Sequence, residues 1–262
     1  MNQKSALLTV SFGTCYQETQ KSALEAIEQE LSEAFPQKKS YRAWTSTGMI
    51  AGIRKTQNLH IDTVQESLER MLKDDITDVL IQPTHMLAGK EFAAVKAIVQ
   101  AYQDRFSGIK IGTPLLNDSE DVKILAEVLE EIFRDIPDSE MLVFMGHGSI
   151  NLQFPAYALL ESQFRKDGYI NFSVGTLESE PDFDAVLHQV RTQKPDRITL
   201  FPLLVTAGNH VFHDMAGNYP ESWKSMLNRA GFETCCILKG MGEYQNIRKI
   251  YIQHAQNAVS VT

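Results

Sequence analysis

Two stretches of the chain share one pattern: "DVLIQPTHMLAGKEF" at residues 78–92 and "RITLFPLLVTAGNHV" at residues 197–211. They align without a gap, so that their prolines and their Ala-Gly pairs coincide and Glu91 falls on His210. Each stretch opens with a short apolar run typical of a buried strand. The alignment suggests that the chain contains the same structural unit twice.

A second pair of segments supports this interpretation. "LLTVSFGT" at 7–14 resembles "LVFMGHGS" at 142–149, and both are apolar strands that end in Gly and then Thr or Ser. Two matches in the same order predict an internal duplication. Because "IPDSE" interrupts the pattern with a proline, we expect a linker there between two lobes, residues 1–136 and 140–262.

Apolar runs alternate with amphipathic segments along the whole chain, so the hydrophobic period switches repeatedly between about 2 and about 3.6. This alternation is typical of βαβ units and a parallel sheet. We therefore predict an α/β protein of two pseudo-symmetric lobes, each a mainly parallel sheet flanked by helices. The usual winding would place the first strand of each lobe between the second and the third.

The composition restricts the functional classes. The 33 acidic and 25 basic residues give a formal charge of −8, which argues against non-specific binding to nucleic acid or to an anionic membrane. No apolar run is long enough to span a bilayer, and no secretion signal is visible. With three cysteines, an odd number, the sequence favours a reducing, cytoplasmic setting.

Three residues in the second lobe follow predicted strands. His147 follows the first strand, Glu178 the second, and His210 the third. Because ligands bind beyond the carboxyl ends of parallel strands, these side chains are expected to converge at one edge. Two imidazoles and a carboxylate suit Co, Fe, Ni or Zn as a divalent cation. A single histidine at a strand end is, however, often only a hydrogen-bonded loop residue. The aligned Glu91 would face the same cleft if the lobes face each other.

The other histidines are assigned as follows. His213 lies three residues after His210 and is expected behind the metal ligands or on the surface. His85 is close to a strand end and is a candidate to line the cleft. His60, His188 and His254 lie in amphipathic segments and are expected to face solvent.

Four segments, "LLTVSFGT", "PTHMLAGKEF", "GHGS" and "PLLVTAGNHVFHDMAG", resemble the class II tetrapyrrole chelatases, and among them the anaerobic CbiK type. The resemblance extends over nearly the whole chain. It implies an active site in a cleft between two lobes, with His147, Glu178 and His210 binding the metal and Glu91 facing the tetrapyrrole. A histidine at position 213 is not expected from the family pattern.

The resemblance implies an enzyme that inserts Co²⁺ into sirohydrochlorin, or a relative of it in another oxidation state, in anaerobic cobalamin biosynthesis. No cofactor is expected beyond the substrate metal, for which Fe²⁺ and Ni²⁺ are alternatives. His147, His210 and Glu91 are the candidate acceptors of the pyrrole protons. Lys90, Arg54 and Lys55 are candidates to bind substrate carboxylates, and His85 with Lys90 to contact the tetrapyrrole.

Two other functions fit the sequence. One is a ferrochelatase that forms sirohaem or acts on another porphyrin, since Fe²⁺ accepts the same ligands as Co²⁺. The other is a non-catalytic protein that holds a metal or a tetrapyrrole for transfer. The expected partners are a tetrapyrrole and a divalent metal, and a homo-oligomer is compatible with the sequence.

Overall fold

A computed structural model describes residues 4–149 and 154–261. The chain forms two compact units, one of Met1–Asn117 with Gly242–Thr262 and one of Asp118–Met241. Each unit contains a β-sheet flanked by helices, as the alternating segments predict. Within the described part of the chain, no helix combines the length and the apolar character that a bilayer crossing requires.

The elements alternate along the chain, strand with helix. The strands are β1 Ser5–Ser11, β2 Lys39–Trp44, β3 Asp78–Pro83, β4 Gly108–Ile111, β5 Glu140–Gly146, β6 Phe172–Thr176, β7 Arg197–Leu203, β8 Thr234–Cys236 and β9 Val259–Ser260. The α-helices are α1 Gln17–Thr19, α2 Ala26–Ala34, α3 Thr47–Gln57, α4 Val64–Lys73, α5 Lys90–Ala101, α6 Ser119–Phe133, α7 Ala156–Lys166, α8 Phe183–Gln193, α9 Trp223–Arg229 and α10 Gln245–Gln256. Two π-helical segments are Gln20–Glu25 and His210–Met215, and two 3₁₀ turns are Gln103–Arg105 and Met241–Glu243.

Both sheets have the expected winding. The first has the strand order β2-β1-β3-β4-β9, in which only β9 runs antiparallel to its neighbour. The second has the order β6-β5-β7-β8 and is parallel throughout. In each sheet the first strand in sequence lies between the second and the third, which confirms the predicted arrangement.

The central strands are buried on both faces, which explains their continuous apolar sequences. In β5, Met141, Val143 and Met145 belong to a core that includes Val186 and Leu200. On the opposite face the ring of Phe144 stacks on Phe164, with centroids 5.1 Å apart, and meets Phe172 edge to face. Apolar layers on both faces fix the sheet between helices and leave its carboxyl edge to carry other side chains.

The register of the two sheets supports the duplication. Val10 of β1 is opposite Pro83 of β3, and Met145 of β5 is opposite Pro202 of β7. The sequence alignment places Val10 on Met145 and Pro83 on Pro202, so the two sheets pair equivalent residues at equivalent points.

The boundary between the units differs from the expected one. The proline-containing segment after α6 joins that helix to β5 inside the second unit, so it is not the link between units. The ring of Phe133 in α6 contacts Phe201 and Phe144, at centroid distances of 4.8 and 5.9 Å. This apolar contact holds α6 against the second sheet rather than the first.

The C-terminal segment returns to the first unit. The hydroxyl of Tyr251 in α10 donates to the carbonyl of Thr84 at 2.9 Å, and Arg248 pairs with Glu30 at 2.8 Å. Strand β9 then adds to β4 at the edge of the first sheet. Residues 242–262 therefore complete the first unit, although the duplication alone assigned them to the second.

The position of α10 also changes the expected exposure of one histidine, His254. His254 was expected to face solvent, but it is buried, and its Nδ1 lies 3.2 Å from the carbonyl oxygen of Thr113. The expectation was wrong because α10 packs on the first unit and presents this side to it. His60 and His188 are exposed, as expected.

Candidate functional site

The candidate site lies at the carboxyl edge of the second sheet. His147 directly follows β5, Glu178 follows β6 by one residue, and His210 opens the π-helical segment after β7. Because β5 lies between β6 and β7, these three ends are neighbours. The strand order alone thus brings the predicted residues to one edge.

The pairing of β5 with β6 continues past the strands and fixes His147 beside Glu178. Gly146 is opposite Thr176, and the backbone N–H of Glu178 donates to the carbonyl of His147 at 3.0 Å. The side chains meet as well, with 3.6 Å between Nδ1 of His147 and Oε2 of Glu178. Backbone and side chain together therefore set this pair.

Glycine is required on each side of His147, for a different reason at each position. Gly146 lies against a tyrosine: an added Cβ would come within 2.5 Å of the Tyr157 ring. Gly148 has φ +82°, and an added Cβ would lie 2.7 Å from Oγ of Ser179 and from Oγ1 of Thr176. The sequence Gly-His-Gly thus lets the loop pack tightly on both sides while the imidazole projects outward.

Tyr157 supports this loop from below and is fully enclosed. Burial raises the pKa of Tyr157 to about 12, and the backbone N–H groups of Gly148 and His147 oppose that rise. The phenol is therefore neutral at physiological pH. We assign it a structural role beneath the loop.

The two ligand candidates His147 and His210 are in contact. Their ring centroids are 4.7 Å apart at an interplanar angle of 83°. Each side chain is about two-fifths exposed, at 41% and 42%. Solvent, a metal ion or a substrate can therefore reach both rings.

His210 is held by an aspartate four residues further on. Its Nδ1 lies 2.7 Å from Oδ2 of Asp214, while Nδ1 of His213 lies 2.8 Å from Oδ1 of the same carboxylate. The ring of His213 also packs on Tyr219 at a centroid distance of 4.1 Å. Burial alone would raise the pKa of Asp214, but the hydrogen bonds from His213 and His210 outweigh it and lower that pKa. Asp214 is therefore ionised and accepts from both rings.

These contacts determine which ring nitrogen is free. A carboxylate only accepts, so Nδ1 of His210 carries a proton, and Nε2 is the nitrogen left to bind a metal. In His147, Nδ1 lies 3.1 Å from the carbonyl oxygen of Gly148, which also only accepts. Both imidazoles thus present Nε2 as the available metal donor.

The three candidates form a loose set. No choice of one donor atom each from His147, Glu178 and His210 puts all three within 4.8 Å of one another. Glu178 lies on the Nδ1 side of His147, and its side chain is 52% exposed. The structure therefore brings His147 into contact with each of the other two, but does not bring one donor atom of all three together. Two imidazoles and an exposed carboxylate suit a borderline divalent cation that is bound and then released.

A tighter group of donors lies in the first unit. His60, Asp62 and Glu66 have donor atoms within 4.8 Å of one another. One oxygen of each carboxylate is already engaged: Oδ1 of Asp62 accepts from Arg70 at 2.7 Å, and Oε2 of Glu66 accepts from the backbone and hydroxyl of Thr63 in the cap of α4. The guanidinium supplies the positive charge that a metal would otherwise provide. We therefore interpret this group as a structural network.

The first-unit candidates lie around β3 and α5. Glu91 and Lys90 are exposed in the first turn of α5. His85 is only 8% exposed and lies 3.3 Å from Oγ1 of Thr45. Burial lowers the pKa of His85 to about 4, against the opposing charge of Glu91. His85 is thus a neutral, enclosed histidine with little surface to offer a macrocycle.

Arg54 and Lys55 are exposed in the last turn of α3. They line a surface pocket of about 380 Å³ together with His60 and Glu66. The cations are thus accessible, and the pocket has mixed charge.

Asp214 is the residue that sequence reasoning left without a role. The available signal was His-x-x-x-Asp, a spacing that brings two side chains to one face of a helical segment. This spacing is ambiguous, because an aspartate in the first turn of a helix is also favourable near the helix N-terminus without any contact to a histidine.

The chain matches the family model described as cobalt chelatase (CbiK) over residues 5–260. It is 33% identical over 258 residues to the sirohydrochlorin cobaltochelatase of Salmonella typhimurium strain LT2, covering 98% of this chain and 97% of that protein. It is 31% identical over 264 residues to the sirohydrochlorin cobaltochelatase CbiKC of Nitratidesulfovibrio vulgaris strain Hildenborough, covering 98% and 91%. The similarity thus spans both units.

The fold is also similar to a solved structure. SirB from Bacillus subtilis with Fe³⁺ superposes with a TM-score of 0.65 at 15% identity, covering 97% of this chain and 95% of that one. At this level of identity the match concerns the fold, and it agrees with the two parallel-sheet units described above.

Proposed function

Because the chain belongs to the cobalt chelatase (CbiK) family, we propose that it inserts Co²⁺ into sirohydrochlorin in anaerobic cobalamin biosynthesis. The observation that carries the residue assignment is the contact of His147 with both Glu178 and His210 at the carboxyl edge of the second sheet. The reaction takes a metal-free macrocycle and a metal ion and yields the metallated macrocycle and two protons. The protein must therefore hold the ion, hold the ring and accept protons.

We propose that His147, Glu178 and His210 bind the incoming Co²⁺. The two histidines donate through Nε2, since their Nδ1 atoms face the carbonyl of Gly148 and the carboxylate of Asp214. Glu178 joins them by rotation of its exposed side chain. Three protein ligands leave coordination positions for water and then for pyrrole nitrogens, so the ion can pass from the protein to the ring.

The pyrrole protons need acceptors within hydrogen-bond reach. His147 and His210 have an Nε2 lone pair once the metal leaves them. Glu91 is an exposed carboxyl in the first turn of α5, and we propose that it acts on the tetrapyrrole rather than on the metal. The aligned positions of Glu91 and His210 would then divide the reaction between the two units.

The substrate carboxylates need cationic partners in a chain with a net charge of −8. Lys90, Arg54 and Lys55 are exposed cations of the first unit, and we propose them for this role. His85 is not proposed for direct contact with the macrocycle, since it is only 8% exposed. No cofactor besides the substrate metal enters the proposal.

A steady-state assay separates this proposal from its alternatives. Purified protein is mixed with sirohydrochlorin and Co²⁺ under anaerobic conditions, and the absorbance of the metallated product is followed through many turnovers. Fe²⁺ and Ni²⁺ replace Co²⁺ in parallel reactions, because the same ligands accept all three ions. Preference for Fe²⁺ would indicate a sirohaem-forming ferrochelatase. Product that stops at one equivalent per protein would indicate a non-catalytic carrier.

A further inference from the structure

One carboxylate in the second unit connects two histidines. Oδ2 of Asp214 accepts from His210, and Oδ1 accepts from His213. The Asp214 side chain is 32% exposed, less than either ring, so it lies behind both. Both oxygens are thus directed at imidazole nitrogens, and only one of the two rings is a proposed metal ligand.

The segment that carries these residues has a widened helical turn. His210–Met215 is π-helical, and the backbone N–H of Ala216 donates to the carbonyl of Val211, five residues earlier, at 3.0 Å. Isolated π turns are frequent at functional sites, because they redirect side chains that a regular helix would place elsewhere. The aligned segment of the first unit forms the regular helix α5, in which Val95 occupies the position of Asp214 and is buried.

We propose that Asp214 is a positioning residue for metal binding, which holds His210 with Nδ1 protonated so that Nε2 faces the metal. This inference rests on the proposed function, in which His210 is a ligand. A carboxylate behind a histidine ligand fixes the orientation and tautomer of the ring and increases its basicity. Such partners typically change metal affinity by about 10- to 100-fold.

His213 serves the same arrangement from the other side. It donates to the second oxygen of Asp214, and its ring packs on Tyr219. The carboxylate is thereby prevented from turning away from His210. Loss of His213 should accordingly produce a weaker version of the effect of losing Asp214.

The first measurement needs no metal. Protein labelled with ¹⁵N-histidine is examined by NMR to determine the tautomer of His210 in the wild type, in Asp214→Ala and in Asp214→Asn. We expect the Nδ1–H tautomer in the wild type and a shift toward Nε2–H in Asp214→Ala. Asp214→Asn keeps a neutral acceptor of the same size and should retain part of the Nδ1–H form. An unchanged tautomer in both variants would overturn the proposal.

The second measurement is Co²⁺ affinity by calorimetric titration, with thermal unfolding of each variant as the check on folding. Asp214→Ala should weaken Co²⁺ binding about 10- to 100-fold, Asp214→Asn less, and His213→Ala least. In turnover, the KM for Co²⁺ should rise while the KM for sirohydrochlorin stays unchanged. The matched control is Asp118→Asn, which removes a carboxylate of the same unit that caps α6. It should leave both KM values unchanged.

The outcomes separate this inference from the proposed function. If His210→Ala binds Co²⁺ as tightly as the wild type, the proposed metal site itself is wrong. If His210→Ala loses Co²⁺ while Asp214→Ala and Asp214→Asn keep wild-type affinity, the site stands and the positioning role is wrong. Equal rises in both KM values for the Asp214 variants would also contradict it, since they would indicate general structural damage.

Discussion

The two units share a scaffold and differ at the carboxyl edges of their sheets. Their strand orders correspond, with β1 between β2 and β3 and β5 between β6 and β7. Even a backbone detail recurs: Gly13 has φ +98° after β1, and Gly148 has φ +82° after β5. The residue between the strand and this glycine differs, however: it is Phe12 after β1 and His147 after β5.

The same contrast appears after the third strand of each sheet. Glu91 begins a regular helix, whereas His210 begins a π-helical turn backed by Asp214. Buried strands are constrained by packing on both faces, so they change little without loss of stability. Side chains beyond the strand ends are free of that constraint. The comparison thus indicates that the two copies of a common frame differ mainly in the side chains beyond their strand ends.

The largest expected effect is loss of the proposed metal ligands. His210→Ala and His147→Ala each remove an Nε2 donor and a proton acceptor, so Co²⁺ insertion should fall by roughly 10²–10⁴-fold. Co²⁺ titration should show a matching loss of affinity. Insertion is followed by absorbance, with thermal unfolding as the check that each variant is folded. Full activity in His210→Ala would remove the distinction between the two units.

Glu91→Ala is the counterpart in the first unit, at the position aligned with His210. Insertion should slow on the order of 10- to 100-fold, as expected for a group that positions or deprotonates the substrate. Co²⁺ affinity should stay within experimental error of the wild type, because the proposed donors are in the second unit. If Glu91→Ala loses Co²⁺ as completely as His210→Ala, Glu91 is a metal ligand and the division of labour is wrong.

The paired glycines give a smaller, structural contrast. Alanine at a left-handed position costs about 1–2 kcal/mol, and at Gly148 its Cβ would also collide with Thr176 and Ser179. Gly148→Ala should therefore lower the Tm and also weaken Co²⁺ binding, because it displaces the loop that carries His147. Gly13→Ala, whose Cβ would meet Trp44 at 2.5 Å, should lower the Tm with no effect on Co²⁺ affinity. Equal losses of affinity in both variants would contradict this contrast.

Much of this arrangement follows from local sequence patterns. Continuous apolar runs identified the parallel strands, and the strand-end rule identified His147, Glu178 and His210 as neighbours at one edge. Two observations needed no resemblance to a known family: the gap-free alignment of 78–92 with 197–211, and a carboxylate with two histidines at successive strand ends.

Other features depend on tertiary contacts that the sequence does not encode locally. The apolar stripes of α6 and α10 would fit either sheet, so the pattern could not reveal that each packs on the unit opposite to the one expected. The burial of His254 follows from that packing. The sequence pattern also does not predict the π-helical turn, because one extra residue in a turn leaves the hydrophobic period almost unchanged.

The smallest expected effect concerns α6, whose assignment to the second unit can be tested by pH. Burial raises the pKa of Glu130 to about 7, with the charge of Asp167 and a hydrogen bond to it as further causes. A carboxyl whose folded pKa exceeds its unfolded value binds more protons in the folded state. The contribution of Glu130 to the free energy of unfolding is therefore most favourable below about pH 4.5 and is lost as the pH rises through about 7.

Glu130→Gln removes this titration, so the variant should gain stability relative to the wild type as the pH rises from 5 to 8, by about 1–3 kcal/mol. The measurement is the Tm of both proteins across that range, where each kcal/mol corresponds to about 2–4 °C. The control is Glu120→Gln on the exposed side of α6, whose difference from the wild type should not vary with pH. If the Tm difference between Glu130→Gln and the wild type is also independent of pH, Glu130 titrates normally. That result would contradict the packing of α6 against the segment that carries Asp167.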